Sequence, residues 1–115
     1  MDALMASILR CIGDFGEQGG LSSADIAELA AVSEAMVSVW RAGAAQPPPN
    51  IRSLLSGLQS IVGRLSEYYD PPDVRSWLYA PDPQLDGGRA IDRIGENRST
   101  LVLKILDRLD AGVSL

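Results

Sequence analysis

Apolar side chains recur every three to four positions through most of this chain, and no segment alternates with the period of two that marks a strand. Leu4, Met5, Ile8, Leu9, Ile12 and Phe15 keep helical spacing and predict a first helix over about residues 2–13. Gly13, Gly16, Gly19 and Gly20 follow closely and predict a loop over residues 13–20. Ile26, Leu29 and Ala30 then mark the buried face of a second helix, and Met36, Val37 and Trp40 that of a third. Ile51, Leu54, Leu55, Leu58, Ile61, Val62, Leu65 and Tyr69 mark a long amphipathic helix. Val74, Trp77 and Leu78 mark a short one, Ala90, Ile91 and Ile94 one or two further turns, and Leu101, Val102, Ile105, Leu106 and Leu109 a closing helix.

Start and stop signals fall between these runs. Ser22-Ser23-Ala24-Asp25 has the form of a capping box with Asp in place of Glu. Ala31-Val32-Ser33 reads as a turn, with Ser33 the N-cap of the third helix and Gly43 its C-terminal stop. Pro47-Pro48-Pro49 is a stiff connector, because proline is excluded from a helix interior, and Asn50 is the expected cap after it. Asp70 and Pro71 open the short helix. Pro81, Pro83, Gly87 and Gly88 form a turn and loop, and Gly112 stops the last helix. Tyr68 and Tyr69 are expected to split, one buried and one at the surface. The fold class is all-α. Residues 1–46 form a helix-turn-helix-like three-helix unit, 47–69 a proline connector and long linking helix, and 70–115 a small C-terminal helical domain.

Composition supports a packed core, since 46% of the residues are hydrophobic. Charge is unevenly spread. Residues 1–50 hold two cations, Arg10 and Arg41, against six carboxylates; residues 51–115 hold eight cations against nine. Chemistry is scarce. The absence of histidine removes Ser-His-Asp and Cys-His catalysis and His-ligated zinc sites. The single Cys11 allows no intrachain disulfide and no thiolate metal site, and fits a reducing cytoplasm. No phosphate-binding glycine motif occurs, no N-terminal signal pattern is present, and Ser7 and Arg10 interrupt the first apolar run. The expectation is a cytoplasmic binding protein, not an enzyme, with no cofactor and no metal.

Ile26 to Arg41 carries the spacing of a helix-turn-helix. Its second helix would offer Ser33, Glu34, Ala35, Ser38 and Arg41 outward, so the candidate DNA-contacting residues are Ser33, Glu34, Ser38 and Arg41. Operator DNA is one expected partner. Yet phosphate neutralisation supplies most DNA affinity, and this segment holds one cation beside Glu28 and Glu34. Three short helices packing in this shape without DNA is the competing reading.

The second half carries a different signal. Trp77, a turn at Pro81, Leu85, Gly87, a short helix with Ile91 and Ile94, and a closing helix ending in Arg108 and Gly112-Val113 succeed one another. This order resembles the C-terminal toxin-binding domain of the Xre/MbcA/ParS antitoxin family, with Ala90 where the family usually has proline. The resemblance is close over about 40 residues and, with the preceding helix-turn-helix, spans nearly the whole chain. It implies an antitoxin of a type II toxin–antitoxin system. Its partner would be a RES-domain toxin that degrades NAD, covered at its active-site cleft. It also implies a homodimer within a larger toxin–antitoxin heteromer and, for many relatives, repression of their own operon.

Toxin-contacting candidates are Trp77, Arg89, Arg93, Arg108, Gly112, Val113, Ser114 and Leu115. Each has a plainer reading. Trp77 suits a core, and Arg89, Arg93 and Arg98 suit a solvated face as well as a cationic contact strip. The end Gly112-Val113-Ser114-Leu115 is either a plug for a partner's pocket, a Schellman cap folded on its own helix, or disordered. The Schellman cap would pack Val113 near Asp107 and the stem of Arg108, poor apolar partners. The alternatives to an antitoxin are a helix-turn-helix transcriptional regulator acting on DNA without a toxin, and a scaffold whose partner is neither.

Overall fold

The computed structural model describes residues 12–110, with the side chains of 109 and 110 left aside. Among these residues there are seven α-helices, one 3₁₀ turn and no strand. Their order is α1 (residues 12–19), α2 (Ser23–Ala30), α3 (Glu34–Arg41), α4 (Pro49–Leu65), α5 (Pro71–Tyr79), the 3₁₀ turn Pro83–Leu85, α6 (Ala90–Gly95) and α7 (Ser99–Asp110). None is long and apolar enough to cross a membrane.

The expected loop over 13–20 is helix as far as residue 19. Ile12 and Phe15 are fully buried, and that burial outweighs the roughly 1 kcal/mol that each helical glycine costs against alanine. Gly20 ends the helix at φ 63°, where an added Cβ would come within 2.8 Å of the Pro71 carbonyl oxygen. The expected helix over about residues 2–13 falls mainly outside the described residues.

Ser22 caps α2 reciprocally. Its Oγ accepts from the Asp25 N–H at 3.2 Å, and its own N–H donates to Asp25 Oδ2 at 2.8 Å. The helix closes with Ala31 in the left-handed region at φ 58°, its N–H bonded to the Glu28 carbonyl and the Val32 N–H to that of Ala27. Ser33 then caps α3 through its Oγ to the Met36 N–H, 3.2 Å. Val37 and Trp40 are buried, but Met36, expected in the core, is 41% exposed. An eight-residue helix turns little of its surface inward, and Val37 and Trp40 take up that surface. Nor is Asn50 a cap: α4 opens at Pro49 with Pro48 before it, because a proline at the first helical position has no N–H to leave unpaired. Tyr68 and Tyr69 do not split; they are 50% and 37% exposed, because α4 has ended at Leu65 and the turn carries both rings outward.

One apolar cluster runs from Ile12 to Leu106 and draws on every helix. Helix α4 lies against α6 and α7, and α2 also reaches α6. The two glycines of α4 differ in meaning. A Cβ at Gly57 would sit 2.5 Å from Ser99 Oγ, whereas one at Gly63 would meet nothing within 4 Å. Alanine is therefore expected to act with opposite signs. Gly63→Ala should stabilise by about 1 kcal/mol through helix propensity. Gly57→Ala should destabilise by about 1–2 kcal/mol, as overpacking against α7 exceeds the same propensity gain. Urea denaturation of the two variants checks the signs.

Candidate partner-binding surface

The last helix presents a stripe at i, i+3, i+4 and i+7: Leu101, Lys104, Ile105 and Arg108. The Pro83–Leu85 turn and the residues after it lie against this stripe and form the other wall of a groove of about 250 Å³. Leu85, Leu101 and Ile105 contribute its apolar lining; Arg93, Arg98, Lys104 and Arg108 line it with positive charge, against one carboxylate, Asp86.

These four cations are not equivalent. Arg93 is held by the fold: its Nη2 donates to the Leu85 carbonyl at 3.0 Å and its Nη1 to Glu96 at 2.9 and 3.0 Å. It pins the 3₁₀ turn to α6. Arg108 donates to Gln84 Oε1 at 2.7 Å, a neutral acceptor, so no carboxylate among the described residues compensates its charge. Arg98 and Lys104 are exposed, and among the described residues neither side chain has a hydrogen-bond or ion-pair partner. Three uncompensated cations thus stand around one concave surface of a chain whose formal charge is −5. Such a surface favours an acidic, partly apolar partner segment and repels a basic one.

The structure brings Arg93 and Arg108 together here, and separates Arg89 and Trp77 from them. Arg89 lies on the far side of α6 in a bidentate pair with Asp92, at 2.9 and 2.8 Å. Hydrogen bonding from its guanidinium holds the Asp92 carboxyl below the usual carboxylate range. The guanidinium also stands 5.3 Å from the Tyr79 ring centre. Trp77 is half-buried against the core. Ala90, the position where proline is usual, still opens α6, preceded by Arg89 in an extended conformation. Gly112, Val113, Ser114 and Leu115 lie outside the described residues. Of the DNA-contacting candidates, Ser33 spends its hydroxyl on the α3 cap, while Glu34, Ser38 and Arg41 are exposed on α3.

Two groups of residues went unnoticed in the sequence. Lys104 and Gln84 complete the groove; the Lys104–Arg108 spacing was the available signal. The other group is a node around Asp25. Besides capping α2, Asp25 Oδ1 accepts from Arg75 Nη2 at 3.2 Å and from the Tyr79 hydroxyl at 3.1 Å. The Arg75 guanidinium lies 4.5 Å over the Tyr79 ring. Burial pushes the Asp25 carboxyl up, but bonds from Ser22 and Tyr79 and the charge of Arg75 bring it below its ordinary value. Burial and the neighbouring Asp25 push the Tyr79 hydroxyl up to about 12. This node fastens the N-terminal helices to α5, the helix that leads into the groove. Among the described residues no group of three or more carboxylate or thiol side chains could hold a metal ion.

No model of an established protein family matches the chain. A probable mycobacterial cidal antitoxin of Mycobacterium tuberculosis is 34% identical to it over 79 residues, 69% of this chain and 67% of that relative. The chain belongs to the MbcA-type antitoxin family. The crystal structure of the M. tuberculosis MbcT–MbcA toxin–antitoxin complex contains a chain that superposes on this one with a TM-score of 0.82 at 20% identity, each covered in full. The MbcA fold is therefore the fold of this chain.

Proposed function

We propose that this chain is the antitoxin of a type II pair and neutralises a NAD-degrading RES-domain toxin by lying over its active-site cleft. The observation that carries this reading is the cation-lined groove on α7, in a member of the MbcA-type family. The groove docks on an acidic rim of the toxin through Arg98, Lys104 and Arg108. We assign the blocking of the cleft to the C-terminal residues Gly112, Val113, Ser114 and Leu115. The neutralisation is steric, since access to NAD is blocked without any catalytic group from the antitoxin. Both proteins act in the cytoplasm, where the toxin meets its substrate.

Removing Val113 to Leu115 tests the division of labour. The truncated chain is expected to keep binding toxin, at an affinity within about tenfold, because the groove is intact. It is expected to lose most of its inhibition of NAD consumption. Undiminished inhibition would move the blocking element to another part of the domain.

Repression of its own operon calls for cations against phosphates, and α3 carries only Arg41. We assign any such role to the toxin–antitoxin complex, not to the free chain. A regulator acting on DNA without a toxin would rest on the same α3 face and draws no further support from its geometry.

A further inference from the structure

The cations of the α7 groove are spread along it. Arg98 directly precedes the helix, and Lys104 and Arg108 follow on one stripe. At the helical rise the backbone positions of Arg98 and Arg108 lie about 15 Å apart. Carboxylates on the packed elements nearby are engaged elsewhere. Asp107 is bound by Arg64 at 2.9 Å, and Glu96 by Arg93 at 2.9 Å. Among the described residues, Asp86 is the one carboxylate that lines the groove. Gln84 holds the Arg108 guanidinium at the groove's edge through its 2.7 Å bond. Beneath the charges the floor is closed, with Leu85 and Ile105 buried and Leu101 half-buried.

We propose that this groove binds an oligophosphate anion, such as a nucleoside triphosphate or its inorganic counterpart, and that this anion and the toxin exclude one another. A guanidinium grips phosphate oxygens in pairs, and an ammonium binds them as a point charge. A single phosphate group reaches one of these cations, or two neighbours. A linked row of phosphates places charge at several points along one axis, which matches the spread from Arg98 through Lys104 to Arg108. Long arginine side chains close part of the remaining distance. The closed floor offers a nucleobase no slot, so recognition falls on the phosphates. The formal charge of −5 does not oppose this, because carboxylates beyond about 8 Å are screened at physiological ionic strength. The exclusion rests on the docking proposed above, in which the toxin's acidic rim takes the same three cations. An anion already on them leaves the rim nothing to pair with.

The first arm of the test uses the antitoxin chain alone, so its outcome does not depend on the toxin. Titration calorimetry with sodium tripolyphosphate at physiological ionic strength should give a saturable isotherm. Inorganic phosphate, at matched ionic strength, should bind at least about tenfold more weakly. Lys104→Gln and Arg108→Gln together should weaken tripolyphosphate binding at least about tenfold, because two of the charged contacts are lost. Arg41→Gln removes a charge from α3, outside the groove, and should leave the affinity within about twofold. Circular dichroism verifies that the variants remain helical. ATP separates the two sources: affinity equal to that of tripolyphosphate, as the closed floor predicts, assigns the site to the phosphate chain, and much tighter binding assigns it to a nucleotide. No binding of tripolyphosphate would overturn the inference, as would equal binding of inorganic phosphate or a double variant that binds normally. The second arm adds the toxin, with a titration of toxin alone to correct for anion it takes up. Tripolyphosphate at about ten times its dissociation constant should raise the apparent dissociation constant of the toxin about tenfold. Anion binding with no effect on toxin affinity would overturn the exclusion. A toxin that never binds the chain would instead sink the docking proposal and leave the result of the first arm standing.

Discussion

Reversing Arg98, Lys104 and Arg108 to Glu together is expected to weaken toxin binding by about a hundredfold or more, while the chain stays folded. Each reversal removes an attraction and installs a repulsion against an acidic rim, and like-charge contacts across an interface cost several kcal/mol in all. The three residues are suitable probes because the fold asks little of them. Among the described residues only Arg108 of the three makes a side-chain bond, and that is an exposed hydrogen bond to Gln84, whose loss falls within the roughly 0.5 kcal/mol expected of surface changes. Arg93 is a poor probe for the opposite reason: its bonds to Leu85 and Glu96 hold the groove's wall, so its replacement would mix folding with binding. Wild-type affinity should also fall as salt is raised, and the triple variant should have lost most of that dependence. Titration calorimetry or surface binding at two ionic strengths reads both effects.

Asp25→Ala is the expected large loss of stability, about 2–3 kcal/mol. The substitution removes the carboxylate half of the α2 capping box, the acceptor of the Ser22 N–H, worth about 1 kcal/mol, and leaves the partly buried Tyr79 hydroxyl and the Arg75 guanidinium without their acceptor, which costs a further 1–2 kcal/mol. Asp25→Asn should cost less, because the one amide oxygen still accepts in place of one of the two carboxylate oxygens, keeping either the Ser22 N–H bond or those from Tyr79 and Arg75. The pH dependence follows from the sign of the shift. The folded Asp25 carboxyl lies below its ordinary 3.8. The stability it adds is therefore complete above that value and is lost as pH falls through the lower, folded value. The gap between wild type and Asp25→Asn should accordingly narrow in acid. Tyr79 acts at the other end: its hydroxyl, raised to about 12 from 10.0, adds stability below pH 10 that is lost as pH rises toward 12. Urea denaturation across pH reads each term.

The elements were legible where a short-range signal marked them. Ser22 with Asp25, Ser33, Pro71 and Gly43 each act within a few residues, and each lies at a helix boundary in the structure. The misread segments were those where tertiary burial overrides a local rule. Four glycines argue for a loop over 13–20, but the core that receives Ile12 and Phe15 is built by residues far along the chain, and Gly19 lets α1 approach Val62 closely. Met36 was misplaced because three apolar residues compete for the narrow inner face of α3. The order of features in the C-terminal half carried the family resemblance, which the 34% identity to an MbcA-type antitoxin upholds. The groove was half legible. Its α7 wall is a helical stripe in the sequence, but the opposing wall at Gln84 and Asp86 arrives from 24 residues away in the case of Gln84 and Arg108. The Asp25–Tyr79 bond spans 54 residues, and no local pattern announces it.

The central claim is that this chain silences a NAD-degrading toxin by binding it. The most direct measurement is NAD consumption by a purified RES-domain toxin encoded beside it, titrated with the full chain and with the triple Glu variant. The account predicts that the wild-type chain abolishes NAD loss near stoichiometric addition and co-elutes with the toxin, and that the triple variant requires a far higher concentration. NAD loss unchanged by an excess of the wild-type chain, with no co-elution, would contradict it.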